Sequence, residues 1–234
     1  MGDTCRLERA RNLCIDAIER SCGNPDRAQY GLRRVANCVG EPVDDFWYQA
    51  QYEPPPGSMY ACDFSVLSAL VPAEEWPRLE AKCRKLRVLY VQREPSSHLW
   101  SNVKYHMQTG GMLDRLHDLN PNEIRRFARM PHIRESSEYG AAIRKMKAGL
   151  SDGALKVIFN EDMHDDCSGG LAEIEDFLWV RRNGYPPEVL DLKANEGTGI
   201  PMPEWFPGLF AEDTVRIRAE VEAEGLVLPK SWSR

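Results

Sequence analysis

Apolar and polar positions along this chain recur mostly with the period of a helix. Residues 4–22 place Leu7, Leu13, Cys14, Ile18 and Cys22 three to four residues apart, with charges between them. That spacing predicts an amphipathic helix. Gly23–Asn24–Pro25 stops it, and Pro25 suits the first turn of a second helix carrying Leu32, Val35, Ala36 and Val39 on one face. Gly40 and Pro42 break the pattern before the aromatic segment Phe46–Trp47–Tyr48. Glu53–Pro54–Pro55–Pro56–Gly57 then reads as a stiff, extended linker.

Beyond the linker, Asp63 can cap a short helix through Val71. Residues 72–90 read as one long basic helix, although Val88 to Val91 could instead form a brief strand. Ser96 to Gln108 is helical in pattern, Gly110–Gly111 interrupts, and Met112 to Asp118 adds a turn or two. Asn120–Pro121–Asn122–Glu123 opens a helix that Pro131 closes, and Ser136 to Leu150 forms another. Ala154 to Phe159 fits a strand or a helix equally. Ser168 to Arg182 and the acidic stretch Ala211 to Glu224 complete the helices, the last stopped by Gly225.

The expected class is therefore mainly α, an irregular multi-helix bundle with at most one or two short strands. Residues 1–53 form an N-terminal helical hairpin and residues 58–234 a main helical domain.

Composition leaves that picture intact. With 234 residues and 42% hydrophobic content, the chain can bury a substantial core. No apolar run approaches the length of a membrane span, and Met1 to Arg11 lacks the apolar stretch of a secretory leader. Seven cysteines, with no C-x-x-C pair, read as reduced thiols. A cytoplasmic protein without a membrane role is the expectation, whether of a bacterium or of a cell hosting a virus.

Charge changes the picture most. Residues 1–60 carry 7 basic against 9 acidic side chains, residues 61–150 carry 15 against 10, and residues 151–234 carry 8 against 17. The chain thus has a basic middle (78–147) beside an acidic C-terminal part (151–234). In the middle, Arg84, Lys85 and Arg87, and separately Arg125, Arg126 and Arg129, each line part of a helix. With Tyr90, Trp100, Tyr105 and Phe127 among them, such cations suit phosphates and unpaired bases. The alternative use of these charges is pairing with the acidic part.

Trp205, Phe206 and Trp232 lie in Pro-rich or terminal segments, where large aromatics anchor partner interfaces or dock a tail onto its own domain. The reading that follows is a non-enzymatic helical adaptor or regulator. It acts on a nucleic-acid complex or a protein assembly, needs no cofactor, and meets a protein partner through its acidic part. Its compact, motif-poor character suggests a phage or mobile-element origin. A structural scaffold, working as a homo-oligomer, is a further alternative.

Two stretches resemble known modules. Leu32–Arg33–Arg34–Val35–Ala36–Asn37–Cys38–Val39–Gly40, followed by Glu41 to Phe46, resembles the closing helices of Cro-like helix-turn-helix domains. The groove-reading helix would then have to fit into residues 1–24, which read as one plain amphipathic helix, so the stretch reduces to an α-hairpin with a Gly turn. Leu116–His117–Asp118–Leu119 is similar to the central motif of HD-type phosphohydrolases. That resemblance implies divalent metal held by His98, His117, Asp118 and Asp166, activating a water for attack on phosphorus. Arg115 stands where that family prefers an apolar residue.

Overall fold

The computed structural model describes residues 58–191 and 197–233, together with isolated positions (14, 15, 32, 35, 36, 47–49 and 52) before them. The chain divides into two compact units, Met1–Ser65 and Val66–Arg234. In the first, Trp47 is buried, and the Tyr48 hydroxyl donates to Asp63 at 3.2 Å. The Cro-like stretch and the expected N-terminal hairpin lie outside the described residues, apart from helical positions such as Leu32 and Val35–Ala36.

The second unit is mainly helical, with one sheet of two parallel strands. Its α-helices are α1 (Trp76–Ala81), α2 (Pro95–Thr109), α3 (Pro121–Ala128), α4 (Pro131–Arg134), α5 (Tyr139–Gly149), α6 (Asn160–Asp165), α7 (Cys167–Leu178), α8 (Pro187–Leu190), α9 (Phe206–Leu209) and α10 (Ala211–Ala223). Among the described residues no helix is long and apolar enough to cross a membrane.

Local chemistry sets most helix ends. The Asn120 side chain accepts from the N–H groups of Asn122 and Glu123, and Glu123 reaches back to the N–H of Asn120 at 2.9 Å. This capping box, with Pro121 in the first turn, starts α3 where the sequence placed it. Gly225, at φ 79°, takes the left-handed conformation that ends α10. Pro131 opens α4, and α3 has already ended at Ala128.

The long helix expected over residues 72–90 does not form. It divides into a 3-10 turn (Ala73–Glu75), α1, and a strand β1 (Val88–Gln92). The β-branched and aromatic run VLYVQ suits a pleated, half-buried surface better than a helix. The second ambiguous run forms β2 (Leu155–Phe159), paired parallel to β1 from Val88↔Leu155 to Gln92↔Phe159. Because side chains alternate along a strand, Val88, Tyr90 and Gln92 share one sheet face with Leu155, Val157 and Phe159. Tyr90, Val157 and Phe159 pack there with Tyr139 and Ile143 of α5, Ile217 and Val221 of α10, and Trp232. A second core joins α2, α3, α4 and α9 through Leu99, Trp100, Val103, Ile124, Ile133 and Phe206.

The acidic α10 lies against α5, where Gly140 allows the approach. A Cβ at that position would stand 2.5 Å from the Cβ of Glu220. Ion pairs close this seam. Arg216 meets Glu138 and Glu220, each at 2.8 Å, and Arg134 meets Glu138 at 3.0 Å. Lys147 meets Glu224 at 3.1 Å, and Arg144 meets Glu220 at 3.5 Å. The basic middle and the acidic part thus pair within one chain, as the alternative use of those charges required.

Candidate functional site

Parallel strands present their carboxyl ends together, and in open α/β folds that edge is where ligands bind. Here β1 ends at Gln92 and continues as Arg93–Glu94 into α2, a helix of 15 residues. Pro95 stands in the first turn of α2, where its missing N–H leaves nothing unpaired. The Glu94 carboxylate caps the helix by accepting from the N–H of Ser97 at 2.8 Å. Strand β2 ends at Phe159 and runs directly into α6, which carries Glu161.

The strand register continues beyond the ladder. Glu94 and Glu161 are separated by 67 residues, the same offset as the Val88↔Leu155 pair, so they face each other past the strand ends. The Glu161 carboxylate accepts from the N–H of Glu94 at 2.8 Å. Arg218 of α10 donates to the Glu94 carboxylate at 3.3 Å, and both side chains are largely buried. The Tyr139 hydroxyl of α5 donates to the carbonyl of Arg93 at 2.9 Å. Burial, with the nearby Tyr90, Glu94 and Glu161, holds that phenol well above its ordinary pKa, so it remains a donor.

Arg93 itself is exposed, and among the described residues its guanidinium has no hydrogen bond or ion pair. Its charge is felt by two neighbours. The pKa of His98, half-buried against the edge of the Tyr139 ring at 5.6 Å, is pushed down to about 4, first by burial and then by Arg93. Lys104, further along α2, is lowered by partial burial and then by Arg93. The Lys104 ammonium donates to the carbonyl of Ile200 at 3.1 Å and, among the described residues, has no carboxylate partner. Thr198 lies between Gly197 and Gly199, both at positive φ, in the loop leading to Ile200. Its hydroxyl is buried and has no partner among the described residues.

At the edge itself, the Gln92 side chain is fully buried, with both amide atoms unpartnered among the described residues. One oxygen of Glu161 and Nε of Arg218 also have no partner. The edge therefore combines a fixed backbone, an uncompensated pair of cations, and polar atoms with bonding capacity left. Such an arrangement suits an anionic ligand.

Of these residues the sequence singled out His98, as a metal ligand, and Tyr90, as an aromatic suited to unpaired bases; it did not single out Gln92, Arg93, Glu94, Lys104, Tyr139, Thr198 or Arg218. The available signal was the order of elements: a β-branched run, then Arg-Glu-Pro and a helix, with a second such run ending in Asn-Glu-Asp. Reading residues 72–90 as one helix concealed it.

The residues the sequence did nominate have other surroundings. Lys85 lies over the exposed Trp179 ring. Arg87 stacks on Phe177 and Trp179, at 5.2 Å and 5.1 Å, and donates from Nε to the carbonyl of Phe177 at 3.2 Å. These contacts tie the segment before β1 to the end of α7. Arg84, Arg125, Arg126 and Arg129 are exposed.

The four residues of the HD-type resemblance are not gathered. Among the described residues, no three His, Cys, Asp or Glu side chains come together as a metal site. His98 packs inside the α2–α5 contact, His117 and Asp118 are exposed around a 3-10 turn, and Asp166 caps α7 by accepting from the N–H of Gly169. Phe206 and Trp232 are fully buried in the two cores, while Trp205 keeps 39% of its surface exposed. The terminal tail docks on its own domain.

No known protein family matches the sequence, and no curated protein matches it. Among solved structures, the chain is similar to the sulfotransferase from Alicyclobacillus acidocaldarius, at 17% identity and a TM-score of 0.58. The likeness covers 82% of this chain and 75% of that one. It corrects the expectation of a non-enzymatic adaptor or regulator on nucleic acid, since the architecture is shared with an enzyme. Part of the charge that suggested such a partner is already engaged within the fold: Lys147 pairs with Glu224 across α5 and α10, and Lys85 and Arg87 stack on aromatic rings.

Proposed function

We propose that this chain is a sulfotransferase-like enzyme whose anionic sulfuryl donor binds at the carboxyl edge of β1, against Arg93 and Lys104. The observation that carries the reading is the unpaired Arg93, placed where a parallel strand runs into a long helix. The fold likeness to a sulfotransferase supports the reaction class. Sulfuryl transfer needs a donor with a good leaving group, and a mixed phosphate–sulfate anhydride provides one. An acceptor oxygen forms the new S–O bond as the bond from sulfur to the phosphate oxygen breaks. The electron pair leaves with the phosphate, and the acceptor proton goes to solvent.

Negative charge thus grows on the departing phosphate. Cations already fixed in place stabilise that charge without rearranging, which is the main physical means open to such a site. Arg93 suits the role because its planar fork can hold two phosphate oxygens at once. Lys104 adds a second charge within reach of the first. Its pKa is lowered first by partial burial and then by the charge of Arg93.

The test is calorimetric binding of a nucleoside phosphosulfate, followed by transfer to a phenol acceptor. Arg93→Ala is expected to weaken donor binding about 10- to 100-fold, since a hydrogen bond to a charged group contributes about 1.5–3 kcal/mol. Its melting temperature should barely change. Wild-type protein that binds no phosphosulfate and transfers no sulfuryl group would overturn the reading.

A further inference from the structure

The turn that carries Arg93 is held from three other elements, while the Arg93 guanidinium has no partner among the described residues. The Arg93 carbonyl accepts from Tyr139 of α5, the Glu94 N–H donates to Glu161 of α6, and the Glu94 carboxylate accepts from Arg218 of α10. The other Glu94 oxygen caps α2. Two backbone groups and one side chain of the Arg93–Glu94 pair are thereby fixed by residues 46, 67 and 124 positions away. A turn that only joined a strand to a helix would need the cap alone.

We infer that Glu161 and Arg218 are positioning residues for donor binding, aiming Arg93 by fixing the Glu94 turn without touching the donor themselves. This rests on the donor site proposed above. Glu161 does most of the positioning, because it alone fixes the Glu94 N–H, and it reaches that N–H because the parallel register places it there. Arg218 prevents the two facing glutamates from repelling each other and keeps Glu94 on the helix end. A supporting group of this kind typically changes affinity or activity by about 10- to 100-fold when it is removed.

The experiment measures phosphosulfate binding and transfer kinetics for Glu161→Leu, Glu161→Asp and Glu161→Gln, each alone and combined with Arg93→Ala. Circular dichroism checks that each variant folds. Glu161→Leu removes the acceptor, Glu161→Asp draws it back by one methylene, and Glu161→Gln keeps a carbonyl oxygen in reach. The expected result is donor affinity about 10- to 100-fold weaker for Leu and Asp, with Gln close to wild type. In the Arg93→Ala background, none of the three should weaken binding further, because residues acting through one group are non-additive.

If Glu161→Leu does not fold, Glu161→Asp carries the same comparison. Unchanged affinity in a folded Asp variant, or effects that add to that of Arg93→Ala, would overturn the positioning role and leave the donor site standing. If Arg93→Ala itself binds donor like wild type, the donor site is wrong and the positioning role falls with it.

Discussion

The α5–α10 seam and the carboxyl edge of β1 are built from the same residue types and have opposite character. At the seam, arginines and a lysine meet glutamates at distances from 2.8 to 3.5 Å across two packed helices. At the edge, Glu161 and Arg218 each bond to Glu94, and among the described residues Arg93 and Lys104 have no anionic partner. The seam is a closed set of charges that holds two helices together. The edge has a charge left over, on a frame that cannot easily move to neutralise it. Residue composition does not separate the two regions; the pairing does.

The largest expected effect comes from the residue packed beneath the strand ends. Trp232 is fully buried against Phe159 at 5.1 Å and Tyr139 at 6.2 Å. Trp232→Ala should destabilise the protein by about 3–5 kcal/mol, measured by urea denaturation. Because Tyr139 belongs to both the core and the edge, donor binding should weaken as well. A variant that lost stability and kept donor affinity would show the edge to be independent of that core.

Next comes acid. The pKa of His98 is about 4 in the folded protein, below its ordinary value near 6.5. Between those values the unfolded chain binds the extra proton, so stability is complete above about pH 6.5, falls as pH drops toward 4, and levels off below that. The change should be about 3 kcal/mol. His98→Asn should flatten the slope of stability against pH over this range. An unchanged slope would place the acid sensitivity elsewhere.

The smallest effect belongs to the seam. Arg216→Met removes the guanidinium that Glu138 and Glu220 share. The arginine is 38% exposed, so solvent screens the pair and the loss should be about 1 kcal/mol, with donor affinity unchanged. Burial acts to raise the Glu138 pKa, and the hydrogen bonds and charges of Arg216 and Arg134 outweigh it and lower it. The seam's contribution is therefore present above the usual carboxylate range and lost as pH falls through the lowered value. The comparison with Arg93→Ala is direct: one arginine should alter stability and not binding, the other binding and not stability.

Local features of the fold were legible because their causes are local. The capping box at Asn120 and Glu123, the stop at Gly225, and the helical spacing of α2, α5 and α10 each depend on residues within one or two turns. The strands were only half legible. A five-residue apolar run has no period long enough to distinguish strand from helix, and nothing near Val88 announces Leu155 as its partner. That ambiguity hid the site, since Arg93 acquires its meaning from the strand before it. The nominated cations Lys85 and Arg87 misled for the same reason: Phe177 and Trp179, which engage them, lie about ninety residues away.

The sequence by itself determined where several helices start or stop, that the chain is mainly α, and that a basic middle adjoins an acidic end. Those are properties of neighbours along the chain, set by backbone geometry and side-chain period. Tertiary structure alone decided that the two runs pair in parallel, that Glu94 faces Glu161, and that Arg218 closes the gap 124 residues from Glu94. It also decided which cations remain unpaired. A charge interacts with what folding brings within a few ångströms of it, and that distance is not written in the order of residues.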